Sequence, residues 1–158
     1  MSIKLMENVR LHCDRTAIVA PEGVFSYRQL LDASARVAAF LLDGSTDLKE
    51  QPVAFLTPPG FRYVALQWGI WRAGGIAVPL SVSHPRPELE YVLADTEPAA
   101  VLADSDFVGR LQPCAEALGL RFARAVEALD HALGSLPDVA PARRAMILYT
   151  SGTTGRPK

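Results

Sequence analysis

Residues 150–158 combine side-chain types that suit a polyphosphate. Thr150, Ser151, Thr153 and Thr154 carry hydroxyls able to donate to phosphate oxygens. Gly152 and Gly155 lack side chains, so backbone N–H groups there can approach a ligand closely. Lys158 adds a mobile point charge, Arg156 a further cation, and Pro157 stiffens the end of the run. The pattern is not the phosphate loop of nucleotide hydrolases, which needs four residues between its glycines and an immediate Gly-Lys-Ser/Thr. Here two residues separate Gly152 from Gly155, and Pro157 precedes Lys158. A Gly/Ser/Thr-rich run can also be a flexible tail. Composition leaves that alternative open, whereas the order of the residues argues against it.

The segments upstream must position such a loop. Thr16–Ala20, a Pro21-Glu22-Gly23 turn and Val24–Tyr27 read as a β-hairpin. Ser26 can cap a helix over Tyr27–Leu42, where Leu30, Ser34, Val37 and Leu41 recur at helical spacing. Val53–Leu56, Ile76–Leu80 and Ala99–Ala103 are compact apolar runs of the kind that become buried strands. Between them a helix fits Phe61–Arg72, and another starts at Ser83–Leu89 with Leu89, Val92 and Leu93 facing inward. A further helix follows Asp104 or Ser105, with Phe107, Leu111, Cys114 and Leu118 as its apolar stripe and Gly119 just past its end. A short strand at Leu120–Ala123 and a weak helix over Val126–Leu133 complete this part, and Ala145–Tyr149 reads as a strand leading straight into the loop.

Strands alternating with amphipathic helices predict an α/β fold: a mostly parallel sheet with flanking helices, plus a small N-terminal β-hairpin. The expected organisation is an N-terminal α/β subdomain over 1–133, a linker at 134–142, and a strand and phosphate-binding loop over 143–158 that opens a next subdomain. Ligands of such sheets sit beyond the carboxyl ends of the strands, which is where the loop would lie.

Bulk properties narrow the partners. With 158 residues, 49% of them hydrophobic and 21% charged, the chain falls in the ordinary globular range. A formal net charge of −1 gives no electrostatic case for nucleic acid. The most apolar stretch, Phe61–Leu80, is interrupted by Arg62, Gln67 and Arg72, so no membrane span is expected. Cys13 and Cys114 are too few for a disulfide framework or a four-ligand metal site, and a reducing cytoplasm fits them best.

The ten positions Tyr149–Lys158 resemble the signature of the adenylate-forming superfamily, which includes acyl-CoA synthetases, the adenylation domains of peptide synthetases, and luciferases. Phe25–Leu30 and Trp71–Leu80 resemble two further elements of that family in the expected order. Gly74–Leu80, with His84-Pro85 and Glu88–Tyr91, looks most like malonyl- and methylmalonyl-CoA synthetases. The resemblance implies the N-terminal part of the large domain of an enzyme that joins a small-molecule carboxylic acid to ATP, releases pyrophosphate, and passes the acyl group to coenzyme A. It assigns the ATP phosphates to Thr150, Ser151, Gly152, Thr153, Thr154, Gly155 and Lys158, with no catalytic residue in this stretch. The implied Mg²⁺ and adenine sites and the mobile C-terminal domain would all follow Lys158. The expectation is therefore the front part of a longer ligase, inactive alone, with apolar surface that favours self-association. A peptide-synthetase adenylation domain and a truncated, non-catalytic binding module are the alternatives. His84 reads as a helix-start residue, and Trp68 and Trp71 as core.

Overall fold

A computed structural model describes residues 3–150. Its α/β core is a four-stranded parallel sheet in the order β4-β3-β5-β6, built from β3 (Pro52–Leu56), β4 (Ile76–Pro79), β5 (Ala100–Ala103) and β6 (Phe122–Arg124). Both faces are covered, so β3 and β5 bury almost every side chain, as their apolar runs require. On one face α2 (Tyr27–Leu42), α3 (Phe61–Arg72) and α6 (Ala125–Leu129) close a cluster around Phe55, Leu66, Ile70 and Leu102. On the other, α4 (Arg86–Thr96) and α5 (Val108–Ala117) bury Leu56, Leu89, Leu93 and Leu111. The antiparallel hairpin β1 (Thr16–Ala20) and β2 (Gly23–Ser26) sits at the N-terminal side, preceded by α1 (Lys4–Arg10). Phe25 of the hairpin stacks on Phe61 at 4.1 Å between ring centroids.

Local chemistry explains most boundaries. Ser26 begins α2 through a capping box: its hydroxyl accepts from the Gln29 N–H at 3.3 Å, and the Gln29 side chain accepts from the Ser26 N–H at 2.8 Å. Asp43 ends the helix in the left-handed region at φ 45°. Prolines open α4, with Pro85 as cap and Pro87 inside the first turn. The α2–α3 contact is close because position 69 is glycine; a Cβ there would lie 2.4 Å from Val37 Cγ1.

Several expectations shift. α1 was not foreseen. Leu118 lies past the end of α5 and is 43% exposed, so the inner stripe of that helix reduces to Leu111 and Cys114, with Phe107 half-buried in the short 3₁₀ turn before it. The weak helix is shorter, ending at Leu129. Trp68 is core, whereas Trp71 is half-buried with its indole N–H turned toward the C-terminal segment. His84 precedes α4, with its Nε2 3.6 Å from Glu88 and its Nδ1 buried without a hydrogen bond. Cys114 is buried, and burial pushes its thiol pKa up.

The largest departure concerns residues 145–149. They do not form a strand; a single parallel bridge joins Met146 to Ala77 of β4. The Ala77 N–H donates to the Ala145 carbonyl at 2.9 Å, and the Ile147 N–H donates to the Ala77 carbonyl at 3.0 Å. Residues 76 and 80 direct their N–H groups to the β3 side, so residue 79 faces the outer edge. The next donor in that outer ladder would be the N–H of residue 79, and Pro79 has none.

Candidate functional site

The carboxyl ends of the strands offer two places for chemistry. The first is where the topology reverses, between β3 and β5, the usual ligand crevice of an open α/β sheet. Here it is occupied by the chain's own side chains. Asp104 accepts from the Thr57 hydroxyl at 3.1 Å, from the Arg62 guanidinium at 2.7 Å and from the Ser105 N–H at 3.2 Å. Thr57 is buried, and Asp104 is satisfied from three directions, so this cluster braces β3 to β5.

The second place lies outside β4, where residues 143–150 run parallel to the strand and carry Thr150 toward the carboxyl side of the sheet. Two arginine–carboxylate ion pairs hold the start of this strap, the first of them bidentate. Arg143 grips Asp47 at 2.5 and 2.6 Å, and Arg144 grips Glu50 at 3.0 and 3.2 Å, with its own N–H on the same carboxylate at 2.8 Å. The Arg143 hydrogen bond holds the Asp47 carboxyl below the usual carboxylate range, and the Arg144 N–H followed by its guanidinium does the same for Glu50. Gly74 makes the first pair reachable. Its φ of +81° suits glycine, and a Cβ would sit 2.2 Å from Asp47 Oδ1 and 2.7 Å from Arg143 Nη1. The Trp71 indole then donates to the Ala145 carbonyl at 2.6 Å.

Beyond the bridge the side chains alternate. Ile147 and Tyr149 pack toward the α4–α5 face, and Leu148 points outward, 63% exposed. The Tyr149 hydroxyl donates to the Asp95 carboxylate, and its ring meets Tyr91 edge-on, with centroids 6.4 Å apart. Desolvation, then the Asp95 hydrogen bond, push the Tyr149 phenol upward, so it stays a neutral donor. Thr150 follows, exposed. Ser151, Gly152, Thr153, Thr154, Gly155 and Lys158 lie outside the described residues.

Sequence reasoning missed Asp47, Glu50 and Asp95, the three acids that anchor the strap. Adjacent Arg143 and Arg144 were a signal that acidic partners were needed, but nothing local named them.

Comparison with known proteins decides the family. Residues 5–158 match the profile of the AMP-binding enzyme family. The chain belongs to that family. AMP-binding relatives include the mitochondrial malonate–CoA ligase of Mus musculus, 38% identical over 156 residues, which cover 92% of this chain and 27% of the relative. N-(5-amino-5-carboxypentanoyl)-L-cysteinyl-D-valine synthase of Penicillium chrysogenum is 30% identical over 149 residues, covering 92% of this chain and 4% of the relative. Apo MatB from Rhodopseudomonas palustris superposes with a TM-score of 0.82 at 26% identity, covering all of this chain and 34% of that one. The chain thus spans about a quarter of the length of its curated malonate–CoA ligase relatives, and its fold is that of the N-terminal part of adenylate-forming ligases. Among the described residues no helix is long and apolar enough to cross a membrane, and no three or more His, Cys, Asp or Glu side chains gather as a metal site.

Proposed function

We propose that this chain is the front of an AMP-forming carboxylate–CoA ligase, and that residues 150–158 hold the β- and γ-phosphates of ATP while pyrophosphate leaves. The observation that carries this reading is the strap. Tyr149 and Thr150, the first two residues of a ten-residue signature rich in hydroxyls and glycine, follow the segment that bridges to the outer edge of β4 in a parallel sheet. Thr150, Ser151, Thr153 and Thr154 would donate to phosphate oxygens, Gly152 and Gly155 would admit close backbone contact, and Lys158 would neutralise charge as it builds on the leaving group.

Mg²⁺ and coenzyme A belong to the same reading. The metal would shield phosphate charge, and the described residues form no metal site of their own. A malonate-like diacid is the favoured substrate, because relatives at 38% and 36% identity are named malonate–CoA ligases. An amino-acid-activating adenylation domain is the second reading, favoured by the 30% identity to the Penicillium synthase.

ATP–pyrophosphate exchange by the full-length protein tests the proposal. Exchange should depend on malonate or methylmalonate, and Lys158→Ala should lower kcat/KM for ATP about 100-fold. Exchange that responds only to amino acids would favour the second reading. Residues 1–158 alone should give none, and robust exchange by that piece would overturn its being only part of the site.

A further inference from the structure

We propose that Asp95, on the last turn of α4, is a positioning residue for the phosphate loop, acting through Tyr149. The inference rests on the reading of residues 150–158 as that loop.

The Ile147 N–H bonds to the Ala77 carbonyl, and Pro79 has no N–H to donate to the next carbonyl of the strap. Past that point the strap is steered by Tyr149. Its ring stands edge-on to Tyr91, and its hydroxyl donates to Asp95, one helical turn further along the same face of α4. Tyr149 immediately precedes Thr150, so the orientation of its side chain bears directly on where the loop begins. The platform beneath it is rigid. Leu89, Val92 and Leu93 are buried at its base, and Thr96 returns its hydroxyl to the Val92 carbonyl at 2.7 Å.

Asp95 itself is exposed, and the core does not depend on it. An exposed carboxylate that grips a side chain one residue before a ligand loop contributes little to global stability. Its effect belongs in the geometry of phosphate binding.

The role predicts a pattern that general destabilisation would not produce. In the full-length protein, Tyr149→Phe removes only the hydroxyl, and Asp95→Ala removes only the acceptor. Each should raise KM for MgATP about 10-fold, the size expected for one lost charge-assisted hydrogen bond. KM for the carboxylate, kcat and Tm should stay near wild type. Asp95→Asn keeps an acceptor oxygen and should restore most of the ATP affinity. The double variant Tyr149→Phe/Asp95→Ala should be no worse than either single change. Wild-type KM for MgATP in both single variants overturns the proposal, as does a rise in both KM values with a matching fall in Tm. If the wild-type protein fails to bind MgATP, or Lys158→Ala changes nothing, the phosphate reading itself falls and takes this inference with it. Unchanged variants beside a Lys158-dependent wild type sink the Asp95 role alone.

Discussion

β3 and β5 pair along four consecutive residues each, from Val53 with Ala100 to Leu56 with Ala103, and bury every side chain in that stretch. Among the described residues, 143–150 pair with β4 at one bridge, and further contacts include two arginines on two carboxylates, an indole on a carbonyl, a phenol on Asp95 and the packing of Ile147 and Tyr149. The sheet is held mainly by the removal of apolar surface from water, which involves no titrating group. The strap adds to the packing of Ile147 and Tyr149 a set of charged and directional bonds, and these respond to pH and to salt. The segment proposed to carry the chemistry is therefore the one whose attachment can be altered without unfolding its support.

That contrast can be broken from the sheet side. Phe55 is fully buried and meets Tyr63 edge-on at 5.1 Å between centroids. Phe55→Ala should cost about 3–5 kcal/mol, read as the shift of a urea unfolding midpoint, and strap and sheet should be lost together. A loss below about 1 kcal/mol would mean that the two faces do not share one core.

A smaller change should separate the two regions. Gly74→Ala forces a side chain into a left-handed backbone position at a cost of about 1–2 kcal/mol and drives its Cβ against Asp47 and Arg143. Trypsin should then cut after Arg143 or Arg144 much faster than in wild type, while far-UV ellipticity is retained. Equal cleavage rates would show that the Asp47 contact does not seat the strap.

Acid should give the mildest separation. Asp47 and Glu50 both have carboxyls held below their ordinary range, so the detached state takes up protons first as pH falls. Docking is fully favoured above about pH 4, the region of unperturbed carboxyls, and is lost as pH drops through the lowered values. Trp71 emission, recorded in a Trp68→Phe background, should change below about pH 4 ahead of the ellipticity of the sheet. Coincident transitions would merge the two regions into one unit.

How much of this was legible in the sequence follows the same division. The span Tyr27–Leu42 could be read to the residue, because Ser26, Gln29 and Asp43 encode its ends locally. The buried strands were legible because both faces of the sheet demand apolar runs. The strap was not. Ala145–Tyr149 has a strand's composition, yet whether it pairs depends on Pro79, far away in sequence. The family was legible from Tyr149–Lys158, while Asp47, Glu50 and Asp95 were not, because an acid that serves a distant partner resembles any other surface carboxylate.

Pro79 also sets how the leader to the loop can move. With the outer ladder among the described residues built on two hydrogen bonds at Ala77, freeing the leader would break a contact patch rather than a strand. Excursions of that size form their own cooperative unit, with an opening free energy well under that of global unfolding. A missing amide proton on an edge strand thereby predicts that amides of the leader exchange with solvent faster than those of β3 and β5.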